Sequence, residues 1–220
     1  MTPQTAWSAS ALTLVAVLTA NTAAAQLMST CVENSPERRG EIGCSIIETK
    51  VLPDGLKEPV LWHIDRFDSP DAARAAVGPA SIAFDAAGTW WLMTIERETT
   101  DHHGGQHVTQ VGPLPLPRAT RYAMVVQSAV FMPGMYSLPH HHSGVEAVYV
   151  IEGEACYETP TRGATLRTGE TLVLPGGTAM RAVVPGTTRR YVLAVIVHDA
   201  AQPATMTMDE QTAPKLVACK

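Results

Sequence analysis

From Tyr122 to His198 the chain is a succession of short apolar runs, each closed by glycine, proline or a polar turn. The runs Tyr122–Met132, Val145–Glu152, Ala155–Glu158, Thr165–Arg167, Thr171–Leu174, Met180–Val184 and Arg190–His198 carry many β-branched and aromatic residues. Such residues suit a pleated, half-buried surface. Breaks at this short and regular spacing leave no room for a long helix and predict a sandwich or barrel. Upstream, Cys44–Lys50, Pro59–Ile64, Ser81–Phe84 and Thr89–Ile95 read as further strands. One short helix interrupts them, with Ser69 as N-cap, Pro70 at the first helical position, Asp71 in the first turn and Gly78 as the stop. Residues 98–106 read as a loop, and the prolines of Val111–Pro117 force an extended path. The fold class is all-β, and 220 residues suffice to bury a core.

Between the first and third of those runs lies GMYSLPHHHSGVEAVYVIEG, Gly134 to Gly153. His140 and His142 are two apart, so an extended backbone points both to one face and His141 to the other. Glu146 shares their parity. Two imidazoles and a carboxylate suit Zn, Mn, Fe or Ni, with positions left open for water or substrate. Gly134 and Gly153 permit sharp turns at either end.

This stretch resembles the first motif of the cupins: Gly134, five residues, His140, one, His142, three, Glu146, six, Gly153. The second motif follows in part, as Gly169, five residues, Pro175, one residue, Gly177. It then departs: Met180 stands where the family's fourth metal-binding histidine would fall, and Val184 where its asparagine would fall. The resemblance covers about residues 108–198 and implies a jelly-roll barrel whose cavity holds a metal. It implies an enzyme of dioxygenase, isomerase, decarboxylase or lyase type acting on a small organic molecule; the alternative is a non-catalytic cupin holding a small ligand or a metal. Met180 admits three readings. His140, His142 and Glu146 hold the metal alone; or the thioether joins them and selects Cu; or the metal is lost and the cavity binds an organic ligand. Pairing through sheet edges, as cupins often do, makes a homodimer compatible with each.

Arg181 and Arg190 could each steer an anionic substrate into the cavity. His107, in the DHHGGQH segment with His102 and His103, could reach the barrel mouth as an acid or base. The simpler reading of that segment is an exposed glycine-rich loop with solvated imidazoles. His63 and His198 read as packing or surface residues.

Residues 1–25 contain no charged residue and carry an apolar run, Ala11–Ala20, ahead of Ala23-Ala24-Ala25. That pattern predicts a signal peptide cut before Gln26, hence an exported protein, periplasmic or secreted, without stable membrane insertion. Of four cysteines, Cys31 and Cys44 would close a short loop, and Cys156 and Cys219 would tie the C-terminal tail to a strand. The organisation expected is a signal peptide (1–25), an arm with extra strands and one helix packed on the barrel (26–107), the barrel (108–198) and a tail (199–220). A net charge of −5 argues against a nucleic-acid partner. No G-x-S-x-G, phosphate-binding or dinucleotide-binding motif occurs, so serine-hydrolase and nucleotide chemistries have no support.

Overall fold

The computed structural model describes residues 41–56, 58–97 and 101–220, together with the backbone of two short strands, β1 (Leu27–Met28) and β2 (Val32–Glu33). The predicted signal peptide and Cys31 lie outside the described residues. Two sheets form the barrel. The six-stranded one contains β2, β3 (Gly43–Val51), β8 (Tyr122–Phe131), β11 (Val145–Glu152), β14 (Thr171–Leu174) and β16 (Arg190–Asp199), in the order β14-β11-β16-β8-β3-β2. The five-stranded one contains β1, β9 (Tyr136–Ser137), β12 (Glu154–Glu158), β13 (Gly163–Arg167) and β15 (Arg181–Val183), in the order β1-β9-β15-β12-β13. The architecture is an all-β jelly-roll barrel of cupin type.

The inner faces meet in one apolar cluster, where Val148, Val150, Val192 and Ala194 pack with Ala155, Tyr157, Leu166 and Ala182. The outer face of the six-stranded sheet is covered as well. A separate antiparallel sheet holds β4 (Leu61–Phe67), β5 (Ser81–Ala86), β6 (Thr89–Glu96) and β7 (Gln106–Val111), in the order β5-β6-β4-β7. Its Trp62, Ile64, Phe84, Trp91 and Met93 pack with Met124, Val126, Ala147, Leu193, Val195 and Val197 of the barrel. β16 therefore runs through the middle layer of three. That placement explains why YVLAVIVH shows no polar alternation: both of its faces are buried. Each fully buried Leu or Val there is worth about 1.5–3 kcal/mol.

The helix α1 (Pro70–Ala75) begins as expected, with the Ser69 hydroxyl accepting the Ala72 N–H at 3.2 Å. Its Ala73 packs on Phe67 and Leu92. One expected boundary is corrected. Gln106 does not belong to the loop but starts β7, whose polar sequence QHVTQV suits the sheet edge it occupies beside β4.

The tail after β16 returns to the barrel. Its strand β17 (Thr205–Thr207) pairs antiparallel with β10 (His140–His142), setting Thr205 opposite His142 and Thr207 opposite His140. Val217 N–H then donates to Thr159 O at 2.9 Å, and Cys219 is disulfide-bonded to Cys156 on β12. Cys44 is also disulfide-bonded. No helix among the described residues is long and apolar enough to cross a membrane.

Candidate metal and ligand cavity

The candidate ligands come from one strand, a tight turn and the next strand. Gly144 in that turn lies so close to β16 that an added Cβ would stand 2.0 Å from Val197 O. At the far end of β11, Gly153 adopts φ +79°, and a Cβ there would stand 2.2 Å from Arg189 O. Glycine is thus required at both places by close backbone approach, and at Gly153 by the left-handed conformation also. The turn brings Glu146 round to the face that β10 gives His140 and His142, and all three line one interior cavity of about 70 Å³.

Each imidazole is anchored through Nδ1. His140 Nδ1 donates to Leu138 O at 2.8 Å, and His142 Nδ1 lies 3.1 Å from Ala204 O and 3.0 Å from Thr205 Oγ1. A carbonyl only accepts, so Nδ1 carries the hydrogen and Nε2 presents a lone pair. Burial, and then the neighbouring His142, pulls His140 below its ordinary pKa. Burial drives His142 down to about 4. Both rings are consequently neutral near pH 7, the state that binds metal. Burial pushes Glu146 up to about 7, against the opposing pull of His140 and Arg190.

His142 Nε2 faces Glu146 Oε2 at 3.7 Å, and neither atom has a hydrogen-bond partner. Two buried lone-pair atoms set against each other are unfavourable unless a cation or a proton lies between them, since an unsatisfied buried polar group costs about 1–3 kcal/mol. The donor set therefore fits a divalent metal. His140 is held less closely: its ring centroid is 5.1 Å from that of His142, edge to face. Among the described residues the trio whose ligand atoms all lie within 4.8 Å is a different one, Asp65, His102 and His107.

Met180 is fully buried beside the site. Its backbone exchanges two hydrogen bonds with His140, at 2.8 and 3.0 Å, and its side chain joins the apolar cluster of Val148, Leu166 and Leu174. The two other cavity candidates lie elsewhere. Arg181 follows Met180 by one residue, so strand alternation turns it outward, where its Nε donates to Glu158 Oε2 at 2.9 Å. His107 belongs to β7 in the covering sheet, with Nδ1 3.1 Å from Asp65 Oδ1. Neither lines the cavity.

The cation that does line it is Arg190, the other arginine the sequence offers for an anionic substrate. Arg190 shares its strand parity with Val192 and Ala194 and is 1% exposed. Its guanidinium carbon sits 4.2 Å over the Phe131 ring, while Nε and Nη1 have no hydrogen-bond partner. Tyr157, Gln127, Ser137, Thr205 and Thr207 add further polar groups to the lining, and burial raises the Tyr157 pKa so that the phenol stays protonated. Parity counted back from Ala194 would have found Arg190. Tyr157 carried no local signal.

Residues 128–196 match the family model of the cupin domain. Among solved structures, a cupin-like protein of Thermotoga maritima is similar at 18% identity, over 40% of this chain and 67% of that one, with TM-score 0.37. A polyketide cyclase of Streptomyces resistomycificus is similar at 22% identity, over 41% and 64%, with TM-score 0.35. The DMSP lyase of Ruegeria pomeroyi is similar at 16% identity, over 39% and 43%, with TM-score 0.35. The chain thus spans less than two-thirds of the cyclase and of the lyase. No curated protein matches.

Proposed function

We propose that this chain, which carries a cupin domain over residues 128–196, is an exported metal-dependent enzyme acting on a small organic molecule that bears a carboxylate or similar anionic group. The observation that carries the reading is the pair of unpartnered atoms His142 Nε2 and Glu146 Oε2, 3.7 Å apart inside the cavity. His140, His142 and Glu146 would hold a divalent ion, with Fe, Mn, Zn or Ni suited to the donors and Cu less so. When bound, such an ion polarises a carbonyl or carboxylate, or activates water or dioxygen.

The chain's own residues supply the rest. The unpartnered Arg190 Nε–H and Nη1–H lie on different edges of the guanidinium, and each would be satisfied by an anionic oxygen such as that of a carboxylate. Phe131, Val192 and Ala194 keep the wall apolar and water scarce. The Tyr157 phenol can donate a hydrogen bond to the bound molecule. A cavity of about 70 Å³ suits a small organic molecule. The fitting reactions are of dioxygenase, isomerase, decarboxylase or lyase type. The Cys156–Cys219 disulfide is compatible with an oxidising compartment, which supports export to the periplasm or medium. We take residues 108–198 as the main part of the functional barrel, with β1 to β3 completing its sheets and β4 to β7 as its cover.

One observation favours a second reading, a non-catalytic cupin that holds its ligand without turnover. The place of a fourth ligand is taken by the apolar, fully buried Met180. Elemental analysis of the protein and of His142→Ala, followed by assay against small carboxylates, separates the two readings. The enzyme reading expects the variant to hold about one equivalent less metal and to lose turnover of a substrate that the parent converts. Equal metal content in both proteins would overturn the barrel metal site. Carboxylate binding without turnover would establish the second reading.

A further inference from the structure

We propose a second metal site, outside the barrel, in which Asp65, His102 and His107 bind a divalent transition-metal ion, with zinc the best-suited occupant. The three ligand atoms lie within 4.8 Å of one another. His102 Nδ1 is 3.2 Å and His107 Nδ1 is 3.1 Å from the same oxygen, Asp65 Oδ1. A tetrahedral zinc with bonds near 2.05 Å would hold its ligands roughly 3.3–3.4 Å apart, so the observed spacings are close to one edge of that polyhedron.

The electrostatics support a cation. Asp65 is 1% exposed, and among the described residues the basic side chains within 4 Å of its carboxylate are the two imidazoles. Both rings could in principle donate to it. His102 Nδ1 does not: it lies at contact distance yet is buried without a hydrogen-bond partner. A second imidazole nitrogen is in the same condition nearby, for His63 Nδ1 is also buried and unpartnered, with its ring centroid 6.5 Å from that of His107. Unused imidazole lone pairs around a buried carboxylate are the donors that zinc takes, and three protein ligands with an open position is a common arrangement for it.

The chain is shaped to present these atoms. His103 and Gly104 are both left-handed, at φ 51° and 81°, which folds the segment back so that Gly105 N–H donates to His102 O at 2.8 Å. The rings of His102 and His107 then stack at 4.1 Å. Gly105 fixes the turn against β4, because a Cβ there would stand 2.6 Å from the Phe67 ring. The two histidine side chains remain 27% and 32% exposed, so an open coordination position would face solvent.

The test silences the barrel first. In a His142→Ala/Glu146→Gln background, calorimetric titration with Zn²⁺ should show about one equivalent, and Co²⁺ should give d–d bands of a site with nitrogen and oxygen donors. Adding His102→Gln should weaken Zn²⁺ binding roughly tenfold or more, the scale that even an outer-shell partner contributes. Asp65→Asn should abolish it. Because Asp65 is buried and its variant could misfold, His102→Gln on the exposed turn is decisive, with circular dichroism confirming its fold. The proposal is overturned if the background protein binds no Zn²⁺, or if His102→Gln leaves the affinity unchanged. Failure of the barrel site alone would leave this result intact.

Discussion

Two sets of metal-type ligands lie in different layers of this molecule, and the chain assembles them by different routes. The barrel set comes from seven consecutive positions, His140 to Glu146, folded about one glycine turn. The set on the covering sheet joins Asp65 to residues 37 and 42 positions later, through the pairing of β4 with β7 and a left-handed turn. The barrel set is buried, apolar-walled and accompanied by an arginine with two unpartnered donor atoms. The sheet set is half-open and built round one buried carboxylate. The difference teaches that, on the readings proposed above, the barrel is equipped for an organic anion as well as a cation, whereas the sheet cluster is equipped for a cation alone.

The largest expected effect tests that contrast. Arg190→Met should weaken binding of a small carboxylate such as oxalate by about 10–100-fold, because charge-assisted hydrogen bonds contribute about 1.5–3 kcal/mol. Zn²⁺ binding at Asp65, His102 and His107 should not change. The same variant should be about as stable as the parent, since a buried guanidinium with two unpartnered donor atoms is replaced by an apolar chain. A thermal melt that falls sharply would show that Arg190 is structural, and the contrast would fail.

Next comes pH, in chelator-treated protein. The folded state keeps His142 neutral down to about 4, whereas the unfolded chain protonates near 6.5. Stability from this residue is therefore lost as pH falls through 6.5 to 4, on the order of 2–3 kcal/mol. Glu146 acts in the opposite sense: its folded carboxyl titrates near 7 rather than 4.5, so its burden on the fold grows as pH rises across that window. His142→Gln should lessen the melting-temperature loss between pH 7 and 4, and Glu146→Gln should raise the melting temperature at pH 8. Variants that track the parent at both pH values would remove the electrostatic account of the cavity. Glu146→Gln also separates burial from metal binding, since added metal should then no longer stabilise the barrel.

The smallest effect concerns orientation. Thr205→Val removes one of the two oxygens beside His142 Nδ1 and leaves Ala204 O in place. Barrel metal affinity should drop by up to about tenfold, within the range of an outer-shell partner. The sheet site, which the tail does not touch, should be unaffected.

How much of this could be read beforehand follows from the same contrast. The barrel motif was legible because its spacing is local: strand parity put His140 and His142 on one face, whereas Glu146 joins them in the cavity through the turn at Gly144 and not through an extended chain. The start of helix α1 was legible because Ser69 and Pro70 act on their own backbone, whereas its end falls at Ala75, before the Gly78 expected to stop it. Arg190 was named in the sequence as an aid to an anionic substrate, but only the depth of β16 shows it buried with two donor atoms unpartnered. Arg181 seemed equal to it until alternation turned that side chain toward Glu158. The sheet cluster was hidden, since Asp65 stands in an ordinary strand and DHHGG reads as a solvated loop until β7 is known to begin at Gln106. A polar edge strand such as QHVTQV has no apolar pattern to announce it, and its partner alone makes it a strand.

The Cys156–Cys219 bond bears on what the chain does when it is not folded. It closes a loop with a sequence separation of 63, and that loop contains β13 to β17 with Arg190, Thr205 and the anchors of His142. In the denatured ensemble this cross-link removes about 4 kcal/mol of conformational freedom on a chain-entropy account. The saving falls on the segment that must meet β10 and β11 to build the cavity. An oxidised chain that has lost its tertiary packing still holds the tail near the strands it serves. Refolding then begins with one long-range search already confined, and a reducing environment would remove that advantage without altering a single contact inside the barrel.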